Sequence, residues 1–230
     1  MNIRILQLIE GAREARGLTV IIDVFRAFSV EAYLFACGAE KVIPVGSEEL
    51  SRRLKSENPE FILVGERNGK ILPGFDFGNS PSQLKGADVS KKTVIHTTSA
   101  GTQGIANATC ADEILGASLV NARATAEYIK RSGAEEVSLV CMGWMAQYPT
   151  EEDTLCAEYI KSLLEDAPFD LKAGIESLKY TSGAKFFDKA QNDVFPMEDF
   201  FMCTDADRFN FALKLERPTE GLHFMTKNVL

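Results

Sequence analysis

Short apolar runs alternate with helical patterns over residues 18–166 of this 230-residue chain. Apolar runs of four to six residues are typical of buried strands, and the segments between them repeat apolar residues at helical spacing. A strand, a helix and another strand in succession are typical of a parallel sheet, because parallel neighbours need a crossover connection. The alternation therefore predicts an α/β fold. Its mostly parallel sheet would be covered by helices on both faces, in a three-layer α/β/α arrangement.

The predicted elements divide the chain unevenly. The predicted strands are residues 3–8, 18–23, 41–45, 61–64, 93–97, 113–116 and 137–141. The predicted helices are residues 29–37, 48–56, 102–108, 122–132 and 151–166. After Pro168 the pattern weakens to a broken helix, a short helix and two candidate strands at 209–215 and 222–225. We therefore expect an α/β core over residues 1–167, with residues 168–230 as a C-terminal subdomain or the completion of the same sheet.

Charge and cysteine content narrow the class of partner. The net charge is −8 and the pI is near 5.0, which disfavours nucleic acid and anionic membranes as partners. No apolar stretch reaches the ~18 residues of a membrane span, and the N-terminal pattern lacks the apolar region of a signal peptide. The five cysteines are widely spaced and form no C-x-x-C pair, which is typical of reduced thiols. These features predict a cytoplasmic protein and leave a homo-oligomer open.

Charged residues interrupt apolar sequence at the end of the strand predicted for residues 18–23. Asp23 follows the apolar run directly, and Arg26 comes three residues later in Val24-Phe25-Arg26-Ala27-Phe28-Ser29. Ligands of open α/β sheets bind at the carboxyl ends of strands. There an Asp suits a divalent cation and an Arg suits an anionic oxygen cluster. The alternative interpretation of this segment is a structural Asp–Arg ion pair.

Polar residues also follow the strand predicted for residues 61–64. Glu66 and Arg67 come directly after it, in a glycine-containing segment that lacks the spacing of an NTPase phosphate loop. Further on, Asp76 stands between two phenylalanines, and Asn79 or Ser80 can cap a helix whose first residue is Pro81. A capped helix N-terminus is an anion site. The alternatives are a solvated turn with a surface ion pair and a loop with a simple helix cap.

Hydroxyl and acidic residues mark two more helix starts. The segment after strand 93–97 offers hydroxyls, backbone N–H groups and a helix N-terminus to an anion, although a cap without a ligand is the alternative. Asp153 lies in an acidic first helical turn, which complements the helix dipole, and it also lies near the carboxyl edge of the sheet. The candidate anion donors in the first of these segments are Thr97, Thr98, Ser99, Gly101 and Thr102.

Taken together and in this order, these blocks resemble the 2-phosphosulfolactate phosphatase family. The matching blocks span residues 21–160: Ile22-Asp23-Val24-Phe25-Arg26-Ala27, Gly65-Glu66-Arg67, Gly74-Phe75-Asp76-Phe77-Gly78-Asn79-Ser80-Pro81, Thr97-Thr98-Ser99-Ala100-Gly101-Thr102, and Glu152-Asp153 with Cys156-Ala157. The resemblance implies a family-specific α/β fold and a magnesium-dependent phosphatase that converts 2-phospho-3-sulfolactate to 3-sulfolactate, a step on a route to coenzyme M. Phe28, Ala100 and Glu158 depart from the family pattern, which leaves the exact substrate open.

The residues and the resemblance together give an expected site. Mg²⁺ would be bound by carboxylates from the set Asp23, Asp76 and Asp153, with Glu66 as an alternative ligand or general base. Arg26 is expected to hold phosphate and Arg67 to hold sulfonate, because a guanidinium binds such groups with two parallel donors. The remaining donors would be Asn79, Ser80, Thr97, Thr98, Ser99, Gly101 and Thr102. The expected catalytic residues are Asp23, Arg26, Glu66 and Asp153.

Two other functions fit the sequence. One is a metal-dependent hydrolase of a different small phosphorylated 2-hydroxy acid, and the other is a non-catalytic binder of anionic metabolites. The chain has neither the C-x5-R pattern of cysteine phosphatases nor a D-x-D motif at Asp23. The sequence identifies no nucleophile, and the absence of a covalent-phosphatase motif favours a metal-activated water.

Overall fold

The computed structural model describes residues 1–230 and has an α/β fold around one ten-stranded sheet. The strands are β1 (Asn2–Gln7), β2 (Leu18–Ile22), β3 (Lys41–Pro44), β4 (Ile62–Arg67), β5 (Lys70–Ile71), β6 (Thr93–Thr97), β7 (Glu113–Ala117), β8 (Glu136–Cys141), β9 (Phe211–Glu216) and β10 (Phe224–Val229). The helices are α1 (Leu8–Glu14), α2 (Ala27–Ala36), α3 (Glu48–Glu57), α4 (Gly101–Asn107), α5 (Ala122–Ser132), α6 (Glu151–Leu164), α7 (Leu171–Leu178) and α8 (Met197–Cys203). Short 3₁₀ helices cover Pro81–Leu84, Leu119–Asn121, Ala184–Phe187 and Lys189–Gln191. None of the helices is long and apolar enough to cross a membrane.

The sheet consists of two parallel parts joined by an antiparallel hairpin. Its strand order is β1-β8-β2-β7-β9-β10-β3-β6-β4-β5. The first four strands in this order are mutually parallel, and so are β3, β6 and β4. β9 and β10 are antiparallel to each other and pair with β7 on one side and β3 on the other. The two C-terminal strands therefore lie in the middle of the sheet, while the domain boundary at residue 167 stays a prediction.

Helices cover both faces of this sheet, which confirms the expected three-layer α/β/α class. On one outer face, α5 and α6 pack against β2, β7 and β8 through a core that includes Leu139, Ile129 and Ile160. On the other part of the sheet, α3 packs against β3, β4 and β6, with Leu54 at the centre of its contact. The inner face holds α2, whose residues 27–35 are all buried. A helix that is apolar all round is typically buried, and the sequence of α2 has this character.

The sheet curves around α2, and this curvature builds the site. In a flat sheet, β2 and β6 would lie five strand spacings apart, or about 24 Å. In the structure the backbone N–H of Gly101, just after β6, donates to Oδ2 of Asp23, just after β2, at 2.8 Å. Ile21 of β2, Val94 of β6 and Phe28 of α2 belong to one shared core. Burial of this core therefore brings the carboxyl ends of β2, β4, β6 and β8 together.

One helix was absent from the predicted elements. The predicted strand 3–8 ends at Gln7, and α1 follows it from Leu8 to Glu14. Gly11 lies inside this helix, where glycine is normally unfavourable. A Cβ atom at Gly11 would lie 2.9 Å from Cβ of Leu6, so the glycine allows α1 to pack closely onto β1.

Candidate active site

One pocket of about 370 Å³ opens where the carboxyl ends of β2, β4, β6 and β8 meet. This volume includes space that is open to solvent, and the part that the centre of a water-sized sphere can occupy is about 30 Å³. Three of its wall residues are aromatic, namely Phe25, Trp144 and Phe195. The predicted site residues that line it are Asp23, Arg26, Glu66, Asn79 and Ser99.

Asp23 is buried at the end of β2, and both of its oxygens accept backbone hydrogen bonds. Oδ1 accepts from the N–H of Ala27 at 3.1 Å, and Oδ2 accepts from Gly101 at 2.8 Å. Burial raises the pKa of Asp23 to about 6, and the negative charges of Glu66 and Glu152 act in the same direction. The two backbone N–H groups oppose this rise in pKa. Asp23 is therefore a buried carboxylate that is held by backbone N–H groups and forms no ion pair.

Glu66 connects the loop after β4 to the loop after β6. Its Oε1 accepts from the backbone N–H of Ser99 at 2.7 Å, and its Oε2 accepts from Gly69 N at 2.7 Å and Ser99 Oγ at 3.2 Å. The side chain is 6% exposed and lies on the pocket wall. A carboxylate oxygen has more than one acceptor lone pair, so these bonds leave Glu66 able to accept or coordinate a further group.

Arg26 forms an ion pair, but its partner is Asp199 and not Asp23. Nη1 of Arg26 lies 2.5 Å from Oδ2 of Asp199, and both side chains are buried. Asp199 also accepts from Ser80 Oγ at 2.9 Å and from the backbone N–H of Ser82 at 3.0 Å. The guanidinium lies over the ring of Phe195, 5.1 Å from its centroid. The segment that follows Asn79 thus binds an internal carboxylate at the start of its 3₁₀ helix.

Asp153 holds two loops together from beneath the pocket. Its Oδ1 accepts from the N–H of Val24 at 2.8 Å, and its Oδ2 accepts from the N–H of Gly143 at 2.8 Å. Burial raises the pKa of Asp153 well above its usual range, and the charges of Glu152 and Asp23 add to the rise. Asp153 does not line the pocket. Its contacts fix the loops after β2 and β8 relative to each other.

Two predicted site residues lie outside the pocket lining. Asp76 is 45% exposed, accepts from the backbone N–H of Leu63 at 2.8 Å and faces Lys55 at 3.8 Å. Arg67 donates to Thr97 Oγ1 at 3.0 Å and to the backbone carbonyl of Glu66 at 2.6 Å. The structure therefore does not bring Asp76 together with Asp23, and it does not direct Arg67 into the pocket.

Most of the predicted hydroxyl donors are engaged within the protein. Thr98 and Thr102 are buried and bond to each other, since the N–H of each donates to the hydroxyl of the other at 2.9 and 3.2 Å. Thr97 is fully buried, and Ser80 donates to Asp199. Ser99 is the one hydroxyl residue of the predicted set that lines the pocket. The other threonines shape the loop that presents it.

Asn79 reaches the pocket from a buried polar chain. His96 Nδ1 lies 2.9 Å from Oε1 of Glu31, and His96 Nε2 lies 3.4 Å from Oδ1 of Asn79. His96 and Glu31 are fully buried. His96 is packed within β6. Its two ring nitrogens nevertheless connect the core carboxylate to an amide on the pocket wall.

The side chains of the pocket fit a magnesium site that has two protein carboxylates and is completed by water and substrate. Nowhere in residues 1–230 do three or more His, Cys, Asp or Glu side chains form a group that could hold a metal ion. Mg²⁺ is commonly held by one or two carboxylates, with water and substrate phosphate completing its shell. Asp23 and Glu66 line one pocket, where burial raises the pKa of Asp23 and the negative charge of Glu66 raises it further. This pair fits such a partly open site.

The sequence interpretation missed contributions from the C-terminal third. Asp199, Phe195 and Lys185 all approach the pocket from residues 184–203. A usable signal was present for Asp199, because it stands beside Phe200 and Phe201 as a charge within apolar sequence. The same reasoning had identified Asp23 and Arg26. Lys185 has no comparable signal, because a single lysine is ordinary on a protein surface.

Comparisons with known proteins agree on one family. Residues 3–216 match the family model described as 2-phosphosulpholactate phosphatase. A Bacillus subtilis (strain 168) protein is 31% identical over 205 residues, covering 88% of this chain and 89% of the relative. A Clostridium perfringens (strain 13 / Type A) protein is 38% identical over 217 residues, covering 93% and 83%. A Thermotoga petrophila protein is 34% identical over 173 residues, covering 75% and 70%. All three relatives are named probable 2-phosphosulfolactate phosphatase.

Proposed function

This chain belongs to the 2-phosphosulpholactate phosphatase family, and on that premise we propose that it hydrolyses 2-phospho-3-sulfolactate to 3-sulfolactate and phosphate. It would thus be a phosphoric monoester hydrolase. The observation that carries the proposal is the pocket in which Asp23, Glu66 and Arg26 meet, where the carboxyl ends of β2 and β4 come together. These side chains are fixed by buried hydrogen bonds, as required for positioning a phosphoryl group. A cytoplasmic location and a place on a route to coenzyme M belong to the same proposal.

The charges of the pocket support a magnesium requirement. The substrate carries phosphate, carboxylate and sulfonate groups, whereas the lining contributes the carboxyls of Asp23 and Glu66 and one arginine. The charge of Arg26 is already balanced by Asp199. Asp23 and Glu66 are the residues that would hold Mg²⁺, and the ion when bound would supply Lewis-acid neutralisation of phosphate charge. Glu66 also remains the candidate general base.

The protein's own side chains would orient the phosphate. Asp199 holds the guanidinium of Arg26 in one position, so that its remaining donors can meet phosphate oxygens without a loss of side-chain freedom. Ser99 and Asn79 add polar groups to the lining of the pocket. With a pKa of about 6, Asp23 is mostly ionised at pH 7 and available as a ligand.

The position of Arg67 favours a second candidate substrate. Arg67, the residue expected to hold sulfonate, lies outside the pocket lining. A phosphorylated 2-hydroxy acid without a sulfonate, such as 2-phospholactate, is therefore the second candidate substrate. The reaction class and the residues around the phosphate would be unchanged.

Release of inorganic phosphate from both substrates tests the proposal. Activity should vanish in EDTA and return with Mg²⁺, and Asp23→Asn should abolish it because an amide is a poorer ligand for a hard cation. Asp76→Asn is the matched control and should retain activity, since Asp76 lies outside the pocket. Melting temperatures would separate loss of chemistry from loss of fold. Full turnover in chelator would overturn the metal role, and absence of phosphate release with any metal would leave a binder of anionic metabolites.

A further inference from the structure

Lys185 presents a positive charge that has no ionic partner beside the pocket. Its Nζ lies 4.5 Å from the ring centroid of Trp144, 5.3 Å from that of Phe195, 5.6 Å from that of Phe186 and 5.8 Å from that of Phe25. The ammonium forms no ion pair within 4.0 Å in residues 1–230. Three of these four rings line the pocket. Lys185 itself is not among the residues that line the pocket. Its charge lies against the aromatic wall, and the negative charge of Glu152 acts on it as well.

The environment of this ammonium favours the arrival of an anion. Burial lowers the pKa of Lys185, and the positive charge of Arg26 lowers it further, while Glu152, Asp23 and Asp153 oppose the decrease. Glu152 is itself buried, and its Oε2 has no hydrogen-bond partner. A partly desolvated ammonium beside aromatic rings regains only part of its lost hydration energy from cation–π contacts. A hydrogen bond to an anionic oxygen would compensate for the remaining loss of hydration energy.

Both arginines of the predicted site already have partners within the protein. Arg26 is paired with Asp199, and Arg67 donates to Thr97 and to a backbone carbonyl outside the lining. The carboxylates Asp23 and Glu66 lie at the loops after β2 and β4, where the proposed magnesium and phosphate would be held. Lys185 lies against the aromatic wall formed by the loop after β8 and the segment before α8.

We propose that Lys185 binds the sulfonate group of 2-phospho-3-sulfolactate, an inference that rests on the proposed function. A sulfonate spreads one negative charge over three oxygens, so it is less costly to desolvate than phosphate and suits an aromatic-lined wall. The four-carbon stem of lysine gives its ammonium the freedom to meet such a group. Lys185 is then the residue that separates the sulfonated substrate from its unsulfonated analogue, the role that the sequence had suggested for Arg67.

The chain contains its own optical probe for this contact. Trp144 is the single tryptophan, and its ring is the one nearest to the Lys185 ammonium. Binding of 3-sulfolactate and of lactate can be followed by Trp144 fluorescence and by calorimetry, with no need for turnover. Lys185→Met should weaken 3-sulfolactate binding about tenfold or more, the loss expected for a charge-assisted hydrogen bond, and should leave lactate binding unchanged.

Further variants separate a binding role from a structural one. Lys185→Gln tests charge removal in a second side chain in case the Met variant unfolds, and Lys185→Arg should keep part of the affinity. Lys189→Met is the control, because Lys189 is exposed in the next turn. In turnover, Lys185→Met should raise KM for 2-phospho-3-sulfolactate and change kcat/KM for 2-phospholactate less than about twofold, a split that weakened folding would not produce.

The outcomes distinguish this inference from the proposed function. Equal 3-sulfolactate affinity in wild type and the neutral Lys185 variants would overturn the inference, as would equal losses on both substrates. A wild-type protein that releases phosphate but binds no 3-sulfolactate would also overturn it. A wild-type protein that binds 3-sulfolactate through Lys185 but releases no phosphate would overturn the proposed function alone.

Discussion

Replacing Asp199 by Asn should destabilise this protein far more than an average substitution. Asp199 is fully buried and accepts three hydrogen bonds, from Arg26 Nη1 at 2.5 Å, Ser80 Oγ at 2.9 Å and Ser82 N at 3.0 Å. The Asn oxygen can still accept from the two serines, but its NH₂ group would then face the guanidinium, donor against donor. Arg26 would remain buried with an uncompensated positive charge.

The size of the effect follows from this burial. Removing one partner of a buried ion pair typically costs about 3–5 kcal/mol. For a chain of 150–250 residues, each kcal/mol lowers the melting temperature by about 2–4 °C. The expected decrease for Asp199→Asn is therefore about 6–20 °C. Phosphate release should fall as well, because Asp199 fixes the guanidinium that lines the pocket.

Differential scanning calorimetry and urea denaturation measure this change, and the neighbouring residue supplies the control. Glu198 is half exposed and pairs with Lys85 on the surface. Glu198→Gln should therefore cost less than about 1 kcal/mol. The double variant Arg26→Met with Asp199→Leu should be more stable than Asp199→Asn, because it removes both buried charges, and it should remain inactive. An Asp199→Asn protein that melts within about 2 °C of wild type would refute this reasoning.

Two further predictions concern buried titratable groups. In chelator, the free energy of unfolding should fall as pH rises from 5 towards 7.5, because burial raises the pKa of Asp23 from 3.8 to about 6 and raises that of Glu152. The folded state then binds more protons than the unfolded state, so this stabilisation is complete below pH 3.8 and is lost as pH passes 6. Urea denaturation at several pH values measures how steeply the free energy of unfolding falls with pH. This dependence should be weaker for Glu152→Gln than for wild type and unchanged for exposed Glu151→Gln. An equal pH dependence in wild type and both variants would contradict the prediction. His96→Gln should lower stability by about 1–3 kcal/mol and slow phosphate release, because Glu31 loses its buried partner. If His96→Gln has the melting temperature and the rate of phosphate release of wild type, His96 does not stabilise the pocket through Glu31.

Local pattern was sufficient to predict the layers of the fold and part of the pocket. The periodicity of residues 18–166 predicted the strands and helices of the parallel parts, because burial of one face imposes a period that a short window reveals. Asp23, Glu66 and Ser99 were identifiable because each follows a buried strand closely, at the carboxyl end where ligands of open α/β sheets bind. The helix predicted for residues 29–37 corresponds to α2, and its burial on all sides appears only in the structure.

The partners of these residues were decided only by the tertiary structure. Arg26 pairs with Asp199, 173 positions away, and Lys185 reaches the aromatic wall of the pocket from a C-terminal segment with little pattern of its own. Asp76 stands between two phenylalanines in the sequence and was therefore a candidate metal ligand. In the structure it faces solvent and Lys55. Sequence periodicity reports which face of an element is buried, and it carries no information on how far the sheet curves. That curvature, set by packing of the whole core around α2, determines which strand ends meet and therefore which charges share the site.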